Sequence, residues 1–204
     1  MLIDYDNDGW RDLFIANGHV LDNIRKFHAG TEYAEPKTVY RNVSGTFQDV
    51  TKQLGSDLAE ARVSRAAAFA DYDNDGDMDV LVTNNGDRPQ LLRNDGGNRN
   101  HWVEIRLIGT RSNRDGTGAK VKVVAHGIVQ TDEAKGGMSY QAAHDPRLHF
   151  GLGDATQISV INVVWPSGTV TKLTDMQADR CITIKEDVGE VVSRYPQFKK
   201  TASG

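Results

Sequence analysis

The sequence predicts an all-β protein, in which a partial β-propeller of about two blades precedes a β-sandwich-like carboxyl-terminal domain. Three observations support this class. Short apolar runs are separated by Gly, Asn and Asp, which is typical of strands joined by tight turns. An Asp-rich loop followed by strand, turn and strand occurs twice. From about residue 100 the repeat ends, and a new series of alternating strands begins.

Composition limits the classes of function. The chain has 204 residues, 38% of them hydrophobic, which fits one large or two small domains. No apolar run approaches the roughly 18 residues of a membrane helix, so no transmembrane segment is predicted. The formal charge of −4 and the lack of a basic stripe argue against nucleic acid as a partner. Cys181 is the single cysteine, so an intrachain disulfide is impossible.

Two blade-like units can be traced in the first half. The runs 13–16 and 80–83 follow the Asp-rich loops, and each leads to Asn-Gly, a strong hairpin signal. Second strands are expected at 38–42 and 90–94, and a third at 45–51. Residues 58–70 are Ala-rich and favour helix by propensity, but the repeat requires a strand from Arg65 onward. Only Met1 to Ile3 precede the first loop, so the first blade is predicted to be truncated, with further blades upstream.

The second half is predicted to be a separate β domain with its own core. The predicted domains are residues 1–98 and 99–187, with a frayed tail at 188–204. Strands are expected at 102–108, 119–125, 128–131, 148–150, 158–165, 170–173 and 181–184. Two glycine-containing segments are interpreted as turns rather than phosphate loops, because neither lies between a strand and a convincing helix. They are Gly151-Leu152-Gly153-Asp154 and Gly136-Gly137.

The two Asp-rich loops are the candidate site. Residues 4–12 have the sequence DYDNDGWRD, and residues 71–79 have the sequence DYDNDGDMD. Clustered carboxylates repel one another unless a cation lies between them, and Ca²⁺ takes six to eight oxygen ligands. Gly9 and Gly76 stand where the chain must turn sharply, which favours a residue without Cβ. An EF-hand would need a glutamate at position twelve, where this chain has Ile15 and Val82.

With both halves described, the chain resembles the ASPIC/UnbV family preceded by FG-GAP (VCBS-type) repeats. The segments that carry the repeat resemblance are ANGHV, YRN, GTFQDVT, AFADYDNDGDMDVLVTNN and LLRN. Those that carry the ASPIC/UnbV resemblance are NHWVEIRL, SNRDGTGAKV, LHFGLGD and VVWPSG. The resemblance covers nearly the whole chain. It implies a secreted or surface-attached protein with Ca²⁺-binding blades, and it does not supply an activity.

The aspartate at position nine of each loop matches the loop pattern of the resembled family. The metal ligands that this implies are Asp4, Asp6, Asp8 and Asp12 with the Trp10 carbonyl, and Asp71, Asp73, Asp75 and Asp79 with the Asp77 carbonyl. The ions are expected to be structural, because all the ligands of each site come from one short loop between strands. A catalytic metal is not expected, because no histidine lies within either loop. Mg²⁺ is less suitable because it retains its waters. The alternative is two solvated acidic turns without an ion.

No catalytic residue is predicted. Ser139, His144 and Asp145 could form a hydrolase triad on paper, but residues this close in sequence seldom meet the required geometry. The histidines lack zinc-site spacing. Trp102 and Trp165 are interpreted as core residues, with a sugar-stacking surface as the alternative. The long polar segment 19–37 is the candidate partner surface, because long loops in compact domains are often functional.

The predicted function is a non-catalytic, calcium-stabilised extracellular binding or adhesion module. The resemblance of its repeats to integrin α-chain propellers suggests this at fold level only. The module is expected to be the carboxyl-terminal part of a longer secreted protein, found outside the cell, at its surface or in the periplasm, with a signal peptide upstream. Its partner is expected to be an extracellular protein or a glycan. The alternative function is an accessory region of a secreted carbohydrate-active enzyme.

Overall fold

A computed structural model describes residues 1–191 as β-strands and short 3₁₀ turns, with no α-helix in that range. The all-β prediction is confirmed. Most of the predicted strands are present, with bounds that differ by a few residues. The 3₁₀ turns are Ile24–Lys26, Thr51–Gln53, Ser56–Ala59 and Gly97–Arg99. Nowhere in the described residues is there a helix long and apolar enough to cross a membrane.

The first blade is an antiparallel sheet of four strands in the order β1-β2-β3-β4. Its strands are β1 Leu2–Ile3, β2 Asp12–Ile15, β3 Thr38–Val43 and β4 Thr46–Asp49. Ile3 pairs with Asp12, so the first Asp-rich loop closes the hairpin between β1 and β2. The leading strand β1 is two residues long.

The second blade is an antiparallel sheet of three strands in the order β5-β6-β7. Its strands are β5 Ser64–Ala70, β6 Asp79–Asn84 and β7 Asp87–Leu92. Ala70 pairs with Asp79, so the second Asp-rich loop closes the β5–β6 hairpin just as the first loop closes its own. The Ala-rich segment is a strand from Ser64 because Ala66 and Ala67 are buried, and tertiary packing outweighs a weak helix propensity.

The two blades share one hydrophobic core. Phe14 and Val39 of the first sheet belong to the same buried cluster as Val80 and Val82 of the second. Met78, which is 3% exposed, completes the contact at the end of the second loop. Within residues 1–191 the blades do not close into a propeller.

The carboxyl-terminal domain consists of two four-stranded sheets, β10-β9-β12-β13 and β11-β8-β14-β15. Its strands are β8 His101–Ile108, β9 Lys120–Ala125, β10 Ile128–Glu133, β11 Leu148–Gly153, β12 Gln157–Val164, β13 Val170–Gln177, β14 Arg180–Lys185 and β15 Gly189–Val191. All pairs are antiparallel except β8 with β14, which is parallel. Val123 and Ile161 of one sheet share a core with Ile105 and Ile182 of the other, as in a sandwich.

Two predictions in this domain are corrected. Gly151 to Gly153 are not a turn but the end of β11, where the pairing with β8 shifts register. Strand β15 pairs with β14 inside the segment predicted to be a frayed tail, so the domain extends to Val191 rather than ending at Asp187. The rest of the predicted tail, from residue 192, lies outside the described residues.

Candidate metal centres

The two Asp-rich loops have the same backbone arrangement. The carboxylate of Asp4 accepts hydrogen bonds from the N–H groups of Asp8 at 3.1 Å and Gly9 at 2.9 Å. The equivalent bonds to Asp71 in the second loop measure 3.0 and 2.9 Å. The first acid therefore stabilises the turn of the loop by accepting hydrogen bonds from two backbone N–H groups. This repetition shows that the first loop has a defined geometry although its blade has a short leading strand.

The ninth-position acid ties each loop to the rest of its blade. Asp12 accepts from the N–H of Tyr5 at 3.2 Å and from the N–H of Asn42 on β3 at 2.8 Å. Asp79 accepts from the corresponding N–H groups of its own blade at 3.0 and 2.7 Å. Both oxygens of this carboxylate are thus bonded to backbone donors. This acid therefore joins the loop to the rest of its blade.

Each loop turns at its fourth and sixth positions through positive φ angles. Asn7 has φ 56° and Asn74 has φ 57°, while Gly9 and Gly76 have φ 89° and 93°. Asparagine tolerates the left-handed region better than most residues with a side chain, and glycine adopts it at no steric cost. The Asn-Asp-Gly sequence common to both loops is therefore what this turn requires.

Three carboxylates come together in each loop. Oxygens of Asp4, Asp6 and Asp8 lie within 4.8 Å of one another, and so do those of Asp71, Asp73 and Asp79. The predicted ligands outside these groups are Asp12 and Asp75, and the roles of the Trp10 and Asp77 carbonyls stay predictions. The side chain of Asp77 has an unpredicted feature, since the residue is 0% exposed in spite of its charge.

A cation fits these clusters because the loops leave acidic oxygens without donors. The third-position acid carries a buried oxygen, Oδ1, that has no hydrogen-bond partner within the described residues, at Asp6 and again at Asp73. A buried acceptor without a partner is costly, so the same orphaned atom in two copies points to a ligand. All the candidate metal-ligating atoms in each cluster are carboxylate oxygens, which suit a hard cation.

Burial raises the pKa values of the clustered acids. Desolvation raises the pKa of Asp12 and of Asp79 from 3.8 to about 6. It raises the pKa of Asp71 to about 7, with a further contribution from the negative charge of Glu104. The pKa of Asp4 is also raised well above 3.8 by burial. Arg147 offsets this only in part for Asp71, and a bound divalent cation would supply further positive charge beside these carboxylates.

The loops also differ in their positively charged neighbours. In the first loop Arg41 on β3 lies 2.8 Å from Asp6 and 3.1 Å from Asp8, so a guanidinium group partly neutralises the cluster. The equivalent residue of the second blade, Arg93, instead pairs with Asp95 at 2.9 Å. The first loop therefore has a positive group of its own at the candidate metal position.

The first loop docks on the carboxyl-terminal domain through Asn7, which is fully buried. Its side-chain oxygen lies 2.6 Å from Nε2 of His149 on β11, and its carbonyl accepts a hydrogen bond from the N–H of Gly153 at 2.8 Å. Its amide nitrogen donates to the carbonyl of Gly76 in the second loop at 2.9 Å. One asparagine therefore joins both loops and β11.

The second loop docks on the same domain through Arg147. This guanidinium donates to the side chain of Asn74 at 2.8 Å and to the carbonyl of Asp71 at 2.9 Å. It forms ion pairs at 2.5 Å with Glu104, whose side chain is 1% exposed, and with Asp145. Burial opposes the charge of Arg147, but the two acids outweigh it and raise the pKa of the guanidinium.

Glycines allow these close approaches. A Cβ built on Gly76 would overlap the indole ring of Trp102 on β8, and one on Gly151 would overlap the carboxylate of Asp4. Gly151 is thus required at the end of β11 because the first loop lies directly against it. This explains the wrong turn prediction, since a glycine needed for a tertiary contact has the same sequence signal as a turn glycine.

Sequence reasoning missed Glu104, Arg147 and His149. The available signal was weak: Glu104 is an acid in a largely apolar strand, and buried acids usually have partners. For His149, the spacing of the histidines argued against a zinc site but gave no sign of the bond to Asn7. The histidine is spatially close to a loop that lies far away in sequence.

The catalytic and sugar-stacking alternatives receive no support from the geometry. The ring of His144 stacks on Phe69 with centroids 3.8 Å apart, and its Nδ1 accepts a hydrogen bond from the N–H of Phe69. Asp145 is paired with Arg147, so these groups are not arranged as a triad. Trp102 is 7% exposed and Trp165 is 2% exposed, as expected of core residues.

Blade-like sheets with acidic hairpin loops, docked on a β-sandwich, define a repeat-containing all-β protein. Comparison with family models agrees: residues 4–82 match the FG-GAP-like repeat, and residues 109–191 match ASPIC and UnbV. The chain therefore has an FG-GAP-like repeat region followed by an ASPIC/UnbV domain, as the resemblance implied. This domain content indicates an extracellular-type module.

A curated relative is the protein named cartilage acidic protein 1 of Xenopus tropicalis. It is 30% identical over 180 residues, which is 82% of this chain and 25% of the relative. The chain thus spans a quarter of that protein's length. Because it covers 82% of the chain, the similarity extends into both halves.

Proposed function

We propose that this chain is a non-catalytic, calcium-stabilised extracellular binding module. The observation that carries the proposal is the duplicated loop, in which three carboxylates come together in each copy and the same orphaned oxygen occurs at Asp6 and Asp73. An acidic turn that binds no ion is not expected to leave the same buried acceptor unpaired in both copies. Bound Ca²⁺ would satisfy that acceptor and offset the repulsion within each cluster.

The donor set favours Ca²⁺ over other ions. Each cluster is all-oxygen and has at least three carboxylates, whereas structural zinc sites use cysteine and histidine. Mg²⁺ keeps most of its waters and uses one or two carboxylates. Asp4, Asp6 and Asp8 would hold the ion in the first loop, and Asp71, Asp73 and Asp79 in the second. Asp12, Asp75 and the carbonyls of Trp10 and Asp77 are the further predicted ligands.

The proposed role of the ions is structural. Both loops lie at the junction of the blades with the carboxyl-terminal domain, and Asn7 and Gly76 at their centres are buried. An ion in this position neutralises the acids next to buried residues at the junction. It therefore stabilises the hairpins and the surfaces that dock on β8 and β11.

The proposed binding surface is the segment 19–37. It exposes the apolar side chains of Val20, Leu21 and Phe27, which are 79%, 48% and 66% exposed. Exposed apolar side chains grouped on one connection are typical of interaction sites. Its base is fixed, since Lys37 is 0% exposed and its N–H donates to the carbonyl of Leu58. An extracellular protein or glycan is the partner that the domain content favours.

Isothermal titration calorimetry of the whole chain tests the calcium assignment. We expect two Ca²⁺ ions per chain, and a rise in melting temperature with Ca²⁺ that EDTA reverses. At a free concentration of 100 times the dissociation constant each site adds about 2.7 kcal/mol to the free energy of unfolding. Absence of binding heat, together with an unchanged melting temperature, would refute the assignment.

A further inference from the structure

We propose that the two loops bind Ca²⁺ cooperatively and that His149 and Arg147 are the positioning residues that couple them. The inference rests on the proposed function and adds a property to it. Its basis is a continuous set of contacts from one loop, through the carboxyl-terminal domain, to the other. The two centres then respond as one unit rather than as independent sites.

The first link is direct. The side chain of Asn7, in the centre of the first loop, donates to the carbonyl of Gly76 in the centre of the second at 2.9 Å. Asn7 is 0% exposed, so no water is available to replace this bond when the loop moves. Displacement of either loop therefore leaves a buried polar group of the other without its partner, which is costly.

The second link passes through the carboxyl-terminal domain. Asn7 contacts His149 at 2.6 Å, and Nδ1 of His149 lies 3.9 Å from Glu104. Glu104 is paired at 2.5 Å with Arg147, which binds Asn74 and the carbonyl of Asp71 in the second loop. The His149, Glu104 and Arg147 side chains are 6%, 1% and 9% exposed. The two loops are thus held by adjacent residues of one buried cluster.

The contacts are made by the same position of each loop. Asn7 and Asn74 both occupy position four and both have positive φ, and each presents its side-chain oxygen to a donor of the carboxyl-terminal domain. Position four lies between the acids at positions three and five, which are proposed ligands. A cation that pulls those acids inward therefore sets the direction of the asparagine. The presence or absence of the ion in each loop therefore changes how its asparagine contacts the shared cluster.

Coupling follows from these constraints. A loop without its ion contains repelling acids and relaxes, which withdraws its asparagine from the shared cluster. A loop with its ion presents the asparagine and pre-organises the cluster for the other loop. Coupling free energies of this kind typically change affinity about 5- to 150-fold. We therefore expect the second Ca²⁺ to bind at least about fivefold more tightly than the first.

The test is calorimetric titration of Ca²⁺ into the whole chain and into Asn7→Gly. Glycine keeps the positive φ of position four and removes no proposed ligand, so only the links are lost. We expect a cooperative isotherm for the natural chain, and independent sites with weaker affinity for Asn7→Gly. Ser44→Gly is the matched control, because Ser44 has φ 51° and is exposed in a hairpin. It should keep the cooperative isotherm.

A pair of substitutions at His149 separates positioning from general packing. His149→Leu removes the donor to Asn7, whereas His149→Gln keeps an N–H donor at the end of the side chain. We expect cooperativity to be lost in the first and largely retained in the second. If His149→Leu does not fold, the natural chain and Asn7→Gly still decide the question.

The outcomes distinguish the two proposals. No Ca²⁺ binding by the natural chain refutes the proposed function and the coupling together. Two independent sites in the natural chain refute the coupling and leave the calcium assignment intact. Equal loss of cooperativity in Asn7→Gly and Ser44→Gly also refutes the coupling, because the effect would then come from glycine itself. Unchanged cooperativity in Asn7→Gly refutes the assigned route.

Discussion

The Nε2 atom of His149 lies 2.6 Å from the side-chain oxygen of Asn7, although 142 residues separate the two. The contact joins the first acidic loop to the carboxyl-terminal domain. Because Asn7 is completely buried, the blades and the sandwich are not merely adjacent along the chain. Interactions of the loops therefore bear on the stability of both halves.

Removal of the third-position acid in the second loop should abolish calcium stabilisation there. Asp73→Asn replaces the carboxylate that contains the orphaned oxygen with a neutral amide of similar size. We expect loss of about 2.7 kcal/mol of calcium-dependent stabilisation at 100 times the dissociation constant, measured by urea unfolding with Ca²⁺ and with EDTA. Asp154→Asn is the control, since its carboxylate is 84% exposed. Equal calcium stabilisation of Asp73→Asn and the natural chain contradicts the prediction.

Arg41 should lower the calcium affinity of the first loop. Its guanidinium lies beside Asp6 and Asp8, and a positive group in this place competes with a cation. An exposed ion pair contributes about 0.2–1 kcal/mol, so Arg41→Gln should raise the affinity of this loop about 1.4- to fivefold. Calorimetry in an Asp73→Asn background isolates the first loop.

Arg93→Gln supplies the matched control for this experiment. It removes the same charge from the equivalent position of the second blade, where the arginine pairs with Asp95. Its effect on the first loop should be negligible. A fall in first-loop affinity on Arg41→Gln would show that the guanidinium supports the metal site rather than competing with it.

Gly76→Ala should destabilise the protein more than the backbone conformation alone explains. A Cβ at this position overlaps the Trp102 indole, so the methyl group forces the second loop away from β8. Gly45→Ala is a close control, because Gly45 has φ 91° against 93° for Gly76 and has nothing within 4 Å of an added Cβ. Overpacking costs about 1–3 kcal/mol, which is the expected difference between the two variants in chemical unfolding. Equal losses would exclude the contact as a stability determinant.

Glu186 should make the stability of the carboxyl-terminal domain depend on pH in acid. Burial opposes ionisation of Glu186, but N–H donors from Ser112, Thr110 and Arg111 and the hydroxyl of Ser167 outweigh it and lower its pKa from 4.5 to about 2. A lowered folded-state pKa contributes stability above about pH 4.5 that is lost as the pH falls towards about 2.

Glu186→Gln tests this dependence. The variant should have a lower urea midpoint than the natural chain at pH 7, and the gap should narrow between pH 5 and pH 3. Asp154→Asn, a change at an exposed carboxylate, should show no such gap. A gap that is constant with pH would mean that the charge of Glu186 contributes nothing.

The local features of the fold could be predicted because they depend on neighbouring residues. Turn sequences act within a few positions, so the acidic loops at 4–12 and 71–79 were evident from their Asn, Asp and Gly residues. The strand at Ser64–Ala70 was found only because the repeat demanded it, against its helix propensity. Repetition thus supplied information that propensity lacked.

The partners of the loops could not be predicted in the same way. Gly151 had the signal of a turn, and its true requirement is the approach of Asp4 from the first loop. Arg41 and Arg93 stand in the same short motif, yet one faces the loop acids and the other pairs with Asp95. Which acid each arginine contacts depends on how tertiary packing places the side chains. The spacing of residues in the sequence does not contain that information.

The sequence by itself determined the β class, the duplicated acidic hairpin and the identity of the acids in each loop. These follow from side-chain periodicity and turn chemistry, which are properties of short segments. Only the tertiary structure decided that both loops dock on one buried cluster, with Asn7 on His149 and Asn74 on Arg147. The physical reason is that buried polar groups need hydrogen-bond partners. For the two loop asparagines these partners lie in the carboxyl-terminal domain, and only the folded structure brings them together.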